Sequence, residues 1–124
     1  MNVRDVVSLG LFTGMLCGTP AFAADVQEQA ILNGYEHYKI FCSNCHGPNA
    51  EGKGTVAEGM GIVPSDLTAL RQTGGDTCLA ERILKAVSGV HEVPEGQTQM
   101  PTFSGNLESI TVYELTQFLK SVQK

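Results

Sequence analysis

Apolar side chains recur at Ile31, Leu32, Tyr35, Tyr38 and Phe41, three or four residues apart, and this spacing predicts an amphipathic helix over residues 26–41. Gly34 lies in its middle, where glycine costs about 1 kcal/mol relative to alanine, so a close packing contact is expected to compensate. The periodicity then stops. Residues 47–61 hold Gly47, Pro48, Gly52, Gly54, Gly59 and Gly61, which is the chemistry of a loop that wraps something and has no periodic element of its own. After Pro64, residues 65–70 suffice for one or two helical turns before Gly74 and Gly75 break them. Leu79, Ile83, Leu84 and Val87 next share one helical face, with Asp76 or Thr77 available as cap and Gly89 as stop. Residues 90–106, with Pro94, Gly96, Pro101 and Gly105, read as loop again. A last helix is predicted from about Ser109 to Val122, burying Val112, Leu115, Phe118 and Leu119. Ser109 can cap it, or Thr111 with Glu114 can form a capping box.

The first 23 residues follow another logic. Arg4 precedes an apolar run from Val6 to Cys17, and the segment closes on Ala21-Phe22-Ala23, a small-x-small cleavage site, so residues 1–23 are expected to be a secretory signal peptide. An uncleaved membrane anchor is the competing reading. The run is shorter than the roughly 20 residues of a bilayer span, and no other segment approaches that length, so no stable membrane insertion is expected after cleavage. Leu16 before Cys17 argues against a lipid attachment signal. The expected location is therefore the periplasm, with residues 24–124 as one domain too short to bury a large core of its own.

What such a domain could fold around is written at Cys42-Ser43-Asn44-Cys45-His46. Two thiols two residues apart with an imidazole immediately after them form the attachment signature of a c-type haem. Each sulfur can add across one haem vinyl group, and His46 then stands beneath the iron as proximal ligand. A zinc clip uses the same donor types but needs a fourth ligand, and Cys78 or His91 would have to supply it without paired spacing. A thioredoxin-like dithiol needs a βαβ pattern around it, where this sequence reads as helix and glycine loop. A haem tied to the chain brings apolar surface into a small core, so folding and attachment are expected to be coupled. With Cys42 and Cys45 committed and Cys17 removed, Cys78 is an odd cysteine, expected to be a small buried apolar residue near a helix start, with a thiol open to intermolecular pairing as the alternative.

Taken together, residues 24–124 resemble the class I bacterial cytochromes c. Gly34 and Tyr38 stand eight and four residues before Cys42, where that family places the glycine and aromatic of its first helix, and Leu115, Phe118 and Leu119 match its Leu-x-x-aromatic-Leu pattern on the last. Met100-Pro101 matches its distal ligand motif, with Phe103 and Leu107 following at the family's positions. The resemblance implies an all-α fold of about four helices wrapped around one covalently bound haem c, with the N- and C-terminal helices crossing at Gly34. It also implies iron ligation by His46 and Met100, with haem binding by Cys42, Cys45, His46 and Met100. His91 is the alternative distal ligand, and His37 is expected on the surface. Pro64 resembles the family proline whose carbonyl accepts the ring N–H of the proximal histidine.

Two protein ligands leave no open position for oxygen or a substrate, which points to a one-electron carrier and not to an enzyme. The partners expected are redox proteins: a donor dehydrogenase or membrane complex, and an acceptor oxidase or reductase. A haem subunit of a periplasmic dehydrogenase or oxidase complex, or a five-coordinate sensor should Met100 not ligate, are the other classes. The formal charge of −5 survives cleavage, since Arg4 and Asp5 leave together, and it makes nucleic acid an improbable partner. Glu51, Glu58, Glu92 and Glu95 fall in loops around the expected haem, which predicts docking to a basic or mixed surface, steered by charge.

Overall fold

The structure, a computed structural model, describes residues 21–74, 78–89, 100–103 and 107–124. In chain order these form α1 (Ala21–Phe41), α2 (Ser43–His46), α3 (Thr55–Met60), a 3-10 turn at Leu67–Ala69 running into α4 (Leu70–Thr73), α5 (Leu79–Val87) and α6 (Ser109–Ser121). Among the described residues there is no strand, so the all-α expectation holds. The expected leader up to residue 20, the capping candidates Asp76 and Thr77, and His91 lie outside the described residues.

The first and last helices cross where the sequence puts its helical glycine. A methyl group on Gly34 would strike the Glu114 carbonyl and come within 2.6 Å of its carbon and 2.9 Å of Phe118 Cβ. Only a hydrogen there lets the two backbones come this close. The crossing also redraws the buried stripe of α1. Ala30, Gly34 and Tyr38, spaced by four, are buried against α6, while Leu32 is more than half exposed and Tyr35 packs only part of its ring on Phe118. At the point of closest approach, Gly34, there is no room for any side chain. α1 also begins five residues before the predicted start, its alanines at 23 and 24 extending the helix without adding to any stripe.

α6 buries Leu115, Phe118 and Leu119 as predicted, and with them Thr116 and Gln117. The Thr116 hydroxyl is satisfied by donating to the Val112 carbonyl at 2.8 Å, and Gln117 accepts from Gln27 of α1 at 2.7 Å. Tyr38 and Leu115 are the largest fully buried side chains. Around them the core gathers Ala50, Leu70, Leu79, Ile83, Val87, Phe118 and Leu119, with Cys42, Met100 and Phe103 packed partly buried against it.

Three details depart from the sequence reading. The glycine-rich stretch contains a short helix, α3, bounded by two of its glycines: Gly54 is the N-cap, and Gly61, with φ of 68°, sends its amide back to the Ala57 and Glu58 carbonyls, while Gly59 lies inside the helix. Ala57 is buried and anchors the short helix. On α5 the buried line is Leu79, Ile83 and Val87, leaving Leu84 more than half exposed. Cys78 is exposed at the N-cap of α5, against the expectation that it is buried, since the inward face begins one residue later at Leu79.

The C-terminal residues close the fold over the middle of the chain. The Lys124 amide donates to the Thr68 carbonyl at 2.9 Å, and the Gln123 side chain donates to the Leu67 carbonyl at 2.7 Å while accepting from the Arg71 amide. Asp66 caps the 3-10 turn by accepting from the Thr68 amide at 2.8 Å. The Thr68 hydroxyl donates to the same oxygen, and this bond, with the amide's after it, holds the Asp66 carboxyl below its ordinary range.

Candidate functional site

The last turn of α1 hands the chain directly to the cysteine pair. The Cys42 amide donates to the Tyr38 carbonyl at 2.9 Å, and one turn later the Cys45 and His46 amides both donate to the Cys42 carbonyl, at 3.2 and 2.9 Å. Cys42, Cys45 and His46 thus share a single helical turn. Gly47 ends it with φ of 82°, a conformation open to glycine, and its amide donates to the Ser43 carbonyl at 2.8 Å. The hydroxyl of fully buried Tyr38 donates to the Gly47 carbonyl at 2.5 Å, so α1 fixes both the entry and the exit of the turn.

The following loop is tied back onto the same turn. The Gly52 amide donates to the His46 carbonyl at 2.8 Å, and the Gly54 amide to the Cys45 carbonyl at 3.0 Å. A side chain at Gly54 would collide with the Asn44 and Cys45 carbonyls. Gly54 is therefore required by the approach of its backbone to the attachment turn, and Gly52 by the approach of its own to the Pro64 carbonyl.

His46 Nδ1 lies 3.0 Å from the Ser65 carbonyl oxygen. A carbonyl only accepts, so Nδ1 carries the proton and Nε2 keeps its lone pair for a metal. The partner is Ser65 and not the expected Pro64: the loop that contains α3 carries the carbonyl one residue further on. Burial lowers the imidazole's proton affinity below its ordinary value, with the Ser65 bond acting weakly the other way, so the neutral, ligating form prevails. Burial, and then the neighbouring Cys45, push the Cys42 thiol up to about 11.

Met100 is partly buried against the core cluster that also receives Cys42. Its segment is pinned at two points. The Phe103 amide donates to the Val87 carbonyl at 2.8 Å, and the Phe103 ring meets Phe41 edge-on at 6.1 Å. Phe103 is thereby held at the end of α1, against the residue before Cys42.

Other candidates are placed elsewhere. His37 is not a plain surface residue, since its Nε2 pairs with Glu114 Oε2 at 2.9 Å, and Asn33 donates to the other carboxylate oxygen at 2.7 Å. This polar set clamps α1 to α6 beside Gly34 and occupies the imidazole. It was not legible in the sequence, where Glu114 figured only as a capping-box candidate with Thr111. The zinc alternative fails on geometry. Although Cys42, Cys45 and His46 are neighbours, they do not converge on one point, and no group of three His, Cys, Asp or Glu among the described residues does. Side chains spread along one turn suit the edge of a macrocycle, so the residues present fit a haem.

The family model described as cytochrome c oxidase, cbb3-type, subunit III matches residues 29–119, from α1 through α6 and across every residue of this site. The chain belongs to this family of c-type cytochromes. Its cofactor is accordingly covalently bound haem c with iron, and its role is haem-based electron carriage. A comparison with curated proteins found no match. No helix among the described residues is long and apolar enough to cross a membrane.

Proposed function

We propose that this cytochrome carries single electrons through one haem held by thioethers to Cys42 and Cys45, with His46 and Met100 as the two axial ligands. The observation that carries the reading is the attachment turn: both sulfurs and the imidazole lie on one turn, and the Ser65 carbonyl holds the imidazole in the ligating tautomer. The haem supplies reversible exchange of one electron at its iron when bound. The chain supplies the rest. Cys42 and Cys45 tether the group, and Ser65 orients His46 and raises its basicity as a ligand. Met100 offers a soft thioether that favours the reduced iron and raises the potential. Were His46 and Met100 both to hold the iron, no position would remain for oxygen or a substrate, which suits a carrier and not an enzyme.

Export to the periplasm after cleavage at Ala23, leaving the domain 24–124, belongs to the same reading, because the apolar run closing on Ala21-Phe22-Ala23 has the form of a cleaved secretory leader. The redox partners are then a donor dehydrogenase or membrane complex and an acceptor oxidase or reductase. The family's description names an oxidase subunit, which favours a second reading in which the chain is the haem subunit of such a complex. Copurification of a catalytic partner in stoichiometric amount would decide for the second.

The test of the ligand set is Met100→Ala in protein matured with haem. It is expected to lose the sulfur-to-iron charge-transfer band and to gain carbon monoxide binding. Retention of the band and continued refusal of carbon monoxide would transfer the distal role to another residue, His91 first.

A further inference from the structure

The carbonyl that holds the His46 ring belongs to an exposed residue, Ser65, so side-chain packing does little to aim it. The hydrogen bonds of the residues just after it do that work. Leu67, two residues on, is held from both sides: its amide donates to the Ala50 carbonyl at 2.8 Å, and its carbonyl accepts from the Gln123 side chain at 2.7 Å. Ala50 is buried, and its own amide donates to the Gly47 carbonyl at the end of the attachment turn. Leu67 therefore joins that turn to the residues that follow α6.

Gln123 uses every bonding group of its side-chain amide. One N–H goes to the Leu67 carbonyl, the other to the Leu119 carbonyl of α6 at 2.8 Å, and the oxygen accepts from the Arg71 amide at 3.0 Å. In a continuous helix the Arg71 amide would donate to the Leu67 carbonyl, four residues back. The helical path is broken between them at Ala69, with φ of −108° and ψ of 14°, and the glutamine amide stands between the two groups. The Lys124 amide adds a bond to the Thr68 carbonyl at 2.9 Å. Its ammonium pairs with Glu51 at 2.9 Å, which takes one of the four acids expected around the haem into a contact of the protein's own, while Glu92 and Glu95 lie outside the described residues.

We infer that Gln123 is a positioning residue for the proximal ligand: through Leu67 it holds the Ser65 carbonyl on Nδ1 of His46, and so sets the basicity of the imidazole and the reduction potential of the iron. The inference rests on the proposed ligation of iron by His46. A hydrogen bond from Nδ1–H to a carbonyl pushes electron density onto Nε2 and makes it a stronger ligand, which favours the oxidised iron. A carbonyl left free to drift pushes less, and the potential rises.

The test uses the haem-loaded protein and two variants. Gln123→Met keeps the length of the side chain and removes all three bonds, whereas Gln123→Asn keeps the amide but falls one methylene short. Both are expected to raise the midpoint potential in a spectroelectrochemical titration. Both should also speed exchange of the His46 ring proton with water, read by proton–nitrogen NMR of the reduced protein, by up to about tenfold, the equivalent of one hydrogen bond. Gly34→Ala is the control: it loosens the crossing of α1 and α6, away from this turn, so it should lower stability and leave both readings where they are. An unchanged or lowered potential with unchanged exchange in both Gln123 variants, or equal shifts in Gly34→Ala, would overturn the inference. In either case a reversible one-electron couple and a protected His46 ring proton in the unsubstituted protein leave the carrier reading intact. Absence of any couple in the unsubstituted protein would defeat the carrier reading and this inference with it.

Discussion

Replacing Gly34 by alanine tests the packing that holds the fold together. In an unobstructed helix the change would stabilise by about 1 kcal/mol, because alanine loses less backbone freedom than glycine. Here the added methyl meets the Glu114 carbonyl and Phe118 Cβ, and most of what it meets is backbone that cannot rotate aside. Forcing one methyl group into a close-packed contact costs about 1–3 kcal/mol, and the upper end applies where a helix must move bodily. The net expectation is a loss of about 2 kcal/mol, or a fall in Tm of about 10 °C for a domain of this size. Guanidinium titration of the haem-loaded protein, followed by far-UV circular dichroism, measures it. Gly59→Ala is the internal standard: that glycine lies inside α3 with nothing within 4 Å of where its Cβ would be, so stability should rise by up to about 1 kcal/mol. If Gly34→Ala matched Gly59→Ala, the close crossing of α1 and α6 would be wrong.

Other substitutions separate the attachment turn from the rest. Tyr38→Phe leaves the buried Gly47 carbonyl without its donor and should lower stability by about 1–3 kcal/mol, read in the same titration, with no loss of haem from the matured protein. Gly54→Ala should cut the yield of haem-loaded protein sharply, judged by haem stain against total protein, since its side chain would displace the Cys45 carbonyl. Acid unfolding should depend on Asp66. Its carboxyl is held below the ordinary range, so its contribution is complete above that range and disappears as pH falls through the lowered folded value; Asp66→Asn should flatten that acid limb and leave neutral-pH behaviour otherwise unchanged in shape. Breaking the exposed Lys124–Glu51 pair with Lys124→Met should leave the midpoint of unfolding where it is.

Periodicity in the sequence was sufficient for the helices that bury large side chains. Leu115, Phe118 and Leu119 repeat at helical spacing and are buried, and Gly34 announced a close contact because a glycine in mid-helix needs a reason. What periodicity missed shares one cause: contacts made by backbone or by small and polar groups leave no hydrophobic trace. Ala30 is buried against α6, while Leu32, part of the expected stripe, is exposed. α3 was hidden because glycines at its two ends read as loop, although one of them is a left-handed cap. The Ser65 carbonyl that holds His46 belongs to the main chain, and any residue type could have supplied it. At the site, Cys42, Cys45 and His46 were legible because attachment chemistry fixes their spacing, whereas His37 could not be assigned before Glu114 was seen opposite it.

The central claim is that haem is bonded to both cysteines of the attachment turn, and intact-mass spectrometry after extraction with acidified acetone measures it most directly. The account predicts a chain beginning at Ala24 and heavier by one haem, with the adduct on the peptide that contains Cys42 and Cys45, and complete loss of the adduct in the Cys42→Ala, Cys45→Ala double variant. A colourless chain of unmodified mass, with all haem in the solvent, would contradict it.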